Sequence, residues 1–338
     1  MPPGFRNFMQ TPVIHITGQL IVPSGEGRVA LAPGHIAVRG ERVVHIETGR
    51  ILPKPDFGGE DCIISPGFVD THLHLPQFDS IGIDGLELLD WLERAIFPAE
   101  LKWNDVDYAR AMAGRVGREL LSFGTTAIGA YATSNHLSAQ AAIDTLAGMG
   151  FAGHVGQVLM DQNGPPDLLI PAPAALSQAS TLRAAGRVRP AVTPRFAVSC
   201  SKQMMRGAGV LAQKTNWYIQ THLAETVREC ESVASMYGEK SYTHVYDQAG
   251  LLTPRTLLGH GIHLSDAERV LLRERGSVIA HCPTANRFLD AGTMQLNAHR
   301  RAGVGVCLGT DVGAGPDRGM MRVARAMIDA AKQAGNAG

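Results

Sequence analysis

Eight short apolar runs, separated by longer helix-like stretches, constrain this chain more than any other feature of its sequence. They are GFVDTHLH (67–74), GTTAIGAY (124–131), AGHVGQVLM (152–160), RPAVTPRF (189–196), WYIQTHLAE (217–225), TLLGHG (256–261), SVIAHCP (277–283) and VGVCLGTD (304–311). Between them lie LELLDWLERAI, DYARAMAGRVGRELLSFG, VRECESVASMYG and SDAERVLLRERG. The last of these opens on Ser265 and Glu268, the spacing of a capping box. Strands alternating with helices build a parallel sheet, because each crossover needs a helix to return the chain. Eight units match a (β/α)₈ barrel of the TIM type, with an open doubly wound sheet as the alternative. The G-x-G stretches at 303–305 and 313–315 do not extend to G-x-G-x-x-G, so a dinucleotide fingerprint is lacking. Ahead of the first run, VIHITGQLIV, HIAVRG and RVVHIETG read as short strands broken at Gly and Pro. The expected organisation is a small N-terminal β-domain over 1–64 and a barrel over 65–338.

Charge and cysteine usage narrow the partners. The 31 basic and 31 acidic side chains cancel, leaving no electrostatic footprint for nucleic acid or an anionic membrane. No apolar run reaches the roughly 18 residues that span a bilayer. The first residues, MPPGFRNFMQ, lack the pattern of a signal peptide. Cys62, Cys200, Cys230, Cys282 and Cys307 form no C-x-x-C pair and read as reduced thiols of a cytoplasmic protein.

The polar residues fall at the ends of the apolar runs. His72 and His74 close the first, His222 and Glu225 the fifth, His260 the sixth and Asp311 the eighth. Residues i and i+2 of a strand share a face, so His72 and His74 can both point into a barrel mouth. Imidazole and carboxylate donors suit Zn²⁺ or Fe²⁺, and His72, His74, His222 and Asp311 would leave a position open for water. Thirteen histidines in 338 residues produce about half an H-x-H match by chance, so the pair alone carries little weight. His260 could equally be a hydrogen-bonded structural histidine, and Glu225 and Asp311 could be helix N-caps. Their coincidence at strand ends, where barrel chemistry is done, sets these residues apart. His281 is ambiguous. His45-Ile46-Glu47 fits the H-x-E of zinc nucleoside deaminases, but the P-C-x-x-C that should accompany it is absent, and the match reads as noise. His15, His35, His45, His136, His154, His244, His263 and His299 are assigned to surface or packing.

PGFVDTHLHLPQ (66–77), HLAE (222–225), GHG (259–261) and GTD (309–311) resemble the amidohydrolase superfamily. LLDWLERAIFPAE (88–100), SFGTTA (122–127), TPRFAVSCS (193–201) and AHCPTAN (280–286) are similar to its guanine deaminase family. The match departs from the family at Ala285 and at PDR (316–318). The resemblance implies hydrolytic deamination of guanine to xanthine and ammonia, and a homodimer. It implies one zinc per chain on His72, His74, His222 and Asp311. Gln77, Arg195 and Phe196 would bind the purine alongside His222 and Glu225. Glu225 would shuttle protons, His260 would hold the attacking water and Asp311 would accept its proton. Another N-heterocycle (a pterin, cytosine or triazine) and a non-enzymatic binding role are the alternative functions. The family continues well beyond the last barrel strand, whereas one helix-like stretch and AGNAG follow it here. Either the chain is a truncated product or fragment, whose β-domain (a composite β-sandwich in the family) is incomplete with an unpaired edge, or the β-domain is closed differently.

Overall fold

The computed structural model describes residues 11–25, 28–239 and 241–335. The chain divides into two compact units, Met1–Gly67 and Phe68–Gly338.

In the first unit, β1 (Val13–Pro23), β2 (Val29–Arg39), β3 (Arg42–Thr48) and β4 (Phe57–Ile64) form one sheet in the order β3-β2-β1-β4. The β1–β2 and β2–β3 pairs are antiparallel and β1–β4 is parallel. Among the described residues this unit is a single sheet, not a sandwich. The sequence does not mark out β4, because FGGEDCII begins with a glycine pair after Phe57 and carries two acidic residues, which suit a pleated surface poorly. Val29, Leu31, Val43, Ile46, Phe57 and Ile63 are all exposed on this sheet.

The second unit is the barrel. Its strands are β5 (Phe68–His74), β6 (Thr125–Tyr131), β7 (Ala152–Leu159), β8 (Arg187–Pro194), β9 (Tyr218–Leu223), β10 (Thr256–His260), β11 (Val278–His281) and β12 (Gly305–Leu308). They follow one another in sequence order, each parallel to the next. An open doubly wound sheet would reverse its order at a switch point, and this one does not. Side-chain and backbone bonds bring its two ends together. Thr71 Oγ1 donates to Leu308 O at 2.8 Å, and Thr310 N donates to the buried Asp70 carboxylate at 2.9 Å. Just beyond, Asp311 N donates to His72 O and His74 N to Val312 O, both at 2.8 Å.

Strands covered on both sides must be apolar on both faces. Ile128, Val155, Val192, Ile219, Leu258 and Ile279 are accordingly buried. Outside them, the helix Val106–Ser122 packs Met112, Val116 and Leu120 into one core with Ile143 and Leu146 of the helix His136–Gly148. The stretch read as one helix over 86–96 is divided into an α-turn (Leu88–Trp91), a π-turn (Leu92–Ile96) and a further α-turn (Phe97–Leu101). Single π-turns of this kind are frequent at functional sites. No helix among the described residues is long and apolar enough to cross a membrane.

The capping box at Ser265 is present, and Glu268 does more than close it. Its carboxylate accepts from Ser265 N and Oγ, both at 2.9 Å, from Ser241 Oγ at 3.0 Å and from Thr243 N at 3.3 Å. One side chain thus caps the helix Asp266–Arg275 and holds the start of the helix Tyr242–Gln248. Burial opposes ionisation of Glu268, but these hydrogen bonds outweigh it and hold its pKa below the ordinary value. A folded-state pKa that is depressed adds stability above the unfolded pKa of about 4.3, and that stability is lost as the pH falls through the folded value. Glu268→Gln is therefore expected to destabilise the barrel by about 1 kcal/mol at pH 7, in the range of a lost helix cap. The deficit should shrink below about pH 4.3, which denaturant melts at pH 7 and pH 4 would measure.

Candidate metal centre and active site

Every residue of the polar set lies at or just beyond the C-terminal end of a barrel strand. His72 and His74 are on β5, His222 is on β9 and His260 ends β10. Glu225 and Asp311 lie beyond their strands, although the apolar runs suggest strands continuing through both. The backbone explains the difference. Ala224 and Asp311 have φ of 49° and 50°, which a continuing strand cannot accommodate, and His260, where β10 stops, has 68°. Such conformations at non-glycine residues cluster where a structure needs a side chain aimed in one direction.

The donors converge. His74 Nε2 and His222 Nε2 are 3.0 Å apart, and Asp311 Oδ1 is 3.4 Å from both His72 Nε2 and His74 Nε2. His260 Nε2 stands 3.5 Å from Glu225 Oε2 and 3.8 Å from Asp311 Oδ2. All six side chains are buried, or nearly so in the case of His222. His72 is enclosed by two glycines. A Cβ on Gly259 would sit 2.6 Å from its Cε1, and one on Gly309 would sit 2.6 Å from its Cβ. The first glycines of GHG and GTD are thus the space that the imidazole occupies.

The outer nitrogens decide which atoms face inward. His222 Nδ1 bonds to Arg195 O at 2.6 Å, and His260 Nδ1 to Asn286 Oδ1 at 2.9 Å. A histidine held this way presents Nε2 as a lone pair, the arrangement in which histidine binds metal. Burial pushes the His72, His74 and His222 imidazoles well below their usual range, and neighbouring histidines push them further, so all three are neutral at pH 7. His72 Nε2, His260 Nε2 and Glu225 Oε1 are buried with no hydrogen-bond partner. Orphaned inward donors, neutral imidazoles and a carboxylate at their centre fit a divalent cation, and the cluster can hold one.

Burial, then Asp311 and Glu229, raise the Glu225 carboxyl well above the ordinary carboxylate range. Burial also lifts Asp311, to about 6, against the lowering effect of His260 and Arg195. A cation at the centre would favour the ionised form of Asp311.

Beside this cluster is a narrow pocket whose lining includes Gln77, Trp91, Arg195, Phe196, Glu225 and Leu289. Leu92 and Phe196 are shared with an adjoining groove of about 900 Å³. Arg195 follows β8, and Gln77 is in the 3₁₀ turn Leu75–Ser80 after β5. Sequence reasoning missed the residue that joins them. Glu100, buried on the turn Phe97–Leu101, accepts from Arg195 Nη1 at 2.8 Å on each oxygen and from Gln77 Nε2 at 3.2 Å. The available signal was a carboxylate ending FPAE, next to the buried face of an apolar helix. Asn286, inside AHCPTAN, and Tyr131 were missed too. The Tyr131 ring stacks on His74 at 4.5 Å and lies 4.9 Å from His72 and His222, with its hydroxyl unpartnered.

His281 ends β11, buried, with burial lowering its pKa to about 3. His263 Nε2 donates to Ala291 O and His299 Nδ1 to Gln295 O, both ordinary packing uses.

A barrel with this cluster at its mouth defines a class, and comparison names it: residues 63–337 match the amidohydrolase family, and the chain belongs to that family. Among its relatives, the guanine deaminase of Dictyostelium discoideum is 35% identical over 281 residues, which are 81% of this chain and 62% of that protein. The guanine deaminase of Escherichia coli is 36% identical over 273 residues, 79% of this chain and 62% of that protein. The chain thus spans about three fifths of the length of these curated relatives. A crystal structure of guanine deaminase from C. acetobutylicum, with guanine bound in its active site, superposes with a TM-score of 0.90 at 30% identity. That match covers 96% of this chain and 81% of the other.

Proposed function

We propose that this site hydrolyses guanine to xanthine and ammonia. The observation that carries the reading is the Arg195–Glu100–Gln77 array, a buried set of planar hydrogen-bonding groups beside the histidine and aspartate cluster. An apolar pocket around fixed donors and acceptors is what a flat heterocycle requires.

His72, His74, His222 and Asp311 would hold the cation, zinc by preference, although the N/O donor set suits Fe²⁺ as well. When bound, a divalent cation lowers the pKa of its water towards neutrality, which makes a nucleophile available at pH 7. The chain's own groups do the rest. Arg195, steadied by Glu100, offers N–H donors to the purine carbonyl oxygen, and Gln77 supplies a donor and an acceptor to the other edge. Phe196 stacks against the ring. His260, oriented by Asn286, holds the attacking water, and Asp311 takes its proton. Glu225, kept protonated by its buried position, delivers a proton to the ring nitrogen next to C2. Glu225 then takes the proton of the new C2 hydroxyl and passes it to the departing amine, ammonia leaves as C2 becomes a carbonyl, and the proton held by Asp311 restores Glu225. An adenine amine in place of the carbonyl would leave Arg195 without its acceptor, so adenine is rejected. A cytoplasmic homodimer belongs to the same reading.

The test is direct. Zinc-loaded protein, shown folded by circular dichroism, is incubated with guanine, adenine, cytosine, a pterin and an aminated triazine. Xanthine and ammonia are expected from guanine, with kcat/KM at least about 100-fold above the other substrates. A folded, metal-loaded protein that releases neither product overturns the proposal.

A further inference from the structure

The H-x-E at 45–47, set aside as noise in the sequence, has structural company. In the small sheet, Ala37 pairs with His15 on one side and His45 on the other, while His35 pairs with Thr17 and Glu47. Paired residues share a face of a sheet, and so do residues two apart on a strand. His15, His35, His45 and Glu47 therefore stand on one face of β1, β2 and β3. Their side chains meet. Glu47 Oε2 lies 3.7 Å from His35 Nδ1 and 3.8 Å from His45 Nε2, and the three donor atoms are all within 4.8 Å of one another. The His35 and His45 rings are 5.5 Å apart, with His15 6.3 Å from His35 on the other side.

Two details separate this cluster from a solvated group of surface charges. The His35 side chain is only 8% exposed, and its Nδ1 has no hydrogen-bond partner. The 3.7 Å to Glu47 is too long to be a hydrogen bond, and a buried polar atom left without a partner calls for one. The spacing to Glu47 is also right. Bonds of about 2.0–2.1 Å in tetrahedral geometry put two donors roughly 3.4 Å apart, so each histidine–Glu47 separation needs to close by only a few tenths of an ångström. His45 and Glu47 are 58% and 41% exposed, which leaves the centre open to solvent on their side.

We propose that His35, His45 and Glu47 form a second site for a divalent transition-metal ion, zinc above all, built wholly within the small sheet. Two imidazoles and one carboxylate favour zinc, copper or nickel over calcium and magnesium, which prefer oxygen donors. Water fills the remaining positions, or His15, whose Nδ1 is also buried and unpartnered. The ion ties β3, at the edge of the described sheet, to its neighbour β2. Binding to the folded state alone stabilises the sheet by mass action.

The experiment uses the full chain, stripped with a chelator, titrated with zinc chloride and assayed for bound zinc after dialysis. Wild-type protein is expected to bind one equivalent more than His45→Ala or Glu47→Gln, whether or not the barrel cluster is filled. Both changes are at exposed side chains, and guanine turnover should be unchanged in each. In wild-type protein, NMR should also show the His35 and His45 ring resonances shifting together as that equivalent is added. Equal zinc content in wild-type and variant proteins, or a titration that leaves those two rings unmoved, overturns the site.

Discussion

Glu225→Gln is expected to lower kcat for guanine by at least about 10³-fold while leaving the metal content of the protein unchanged. Glutamine keeps the shape and burial of the side chain but cannot hold and release a proton. Burial, Asp311 and Glu229 raise the Glu225 carboxyl well above the ordinary carboxylate range, which favours its proton-carrying form and suits it to donate. Glu229 also accepts from Glu225 N at 2.8 Å, which fixes the backbone from which the carboxyl projects. His72→Ala is expected to behave differently and lose both metal and turnover. His72 Nε2 has no other partner and lies 3.4 Å from Asp311 Oδ1, so its removal takes a donor from the centre of the cluster. Metal analysis alongside single-turnover kinetics separates the two roles. If Glu225→Gln lost metal as completely as His72→Ala, Glu225 would be a ligand and its assignment as a proton shuttle would be wrong.

How much of this could be read from the sequence depended on the kind of order involved. His72, His74, His222, His260 and Asp311 were legible because strand periodicity and β/α alternation together say where a strand ends. Polar residues there need no partner from elsewhere to be noticed. Helices such as His136–Gly148 and Ala172–Ala179 were not picked out. They are rich in Ala and Ser, and the first buries Ser138, Ala139, Ala141, Ala142, Ile143 and Leu146, so neither has a sharp apolar stripe for periodicity to detect. Glu100, Tyr131 and Asn286 were missed for another reason. Each acts through contacts made across the barrel: Glu100 with Arg195 95 positions away, and Asn286 with His260 26 positions away. Spacing along the chain carries no trace of such pairs. The cluster around His35 is the same lesson in the small sheet. H-x-E looked accidental until β2 brought His35 opposite Glu47.

Glu100 gives the second large effect. Glu100→Gln is expected to reduce kcat/KM for guanine by about 10²–10³-fold, mostly through KM, with metal content retained. Arg195 and Glu100 are both almost wholly buried, and removing the charge of one partner leaves the other uncompensated, at a cost of about 3–5 kcal/mol. Part of that cost will appear as a lower melting temperature, because the folded protein must keep a buried guanidinium without its counter-charge. The rest appears in binding. Arg195 stands over the Phe97 ring at 5.5 Å and is held at Nη1 by both oxygens of Glu100, so its direction is set by those two contacts. A glutamine offers one acceptor where the carboxylate offered two, and its amide N–H groups face a cation. The guanidinium then loses its fixed angle to the purine, and Gln77 loses its charged acceptor in the same step. A purely structural Glu100 would lower the melting temperature and leave KM for guanine where it was. A positioning Glu100 moves KM, and Glu100→Asp, which restores the charge at a shorter reach, should recover part of the affinity.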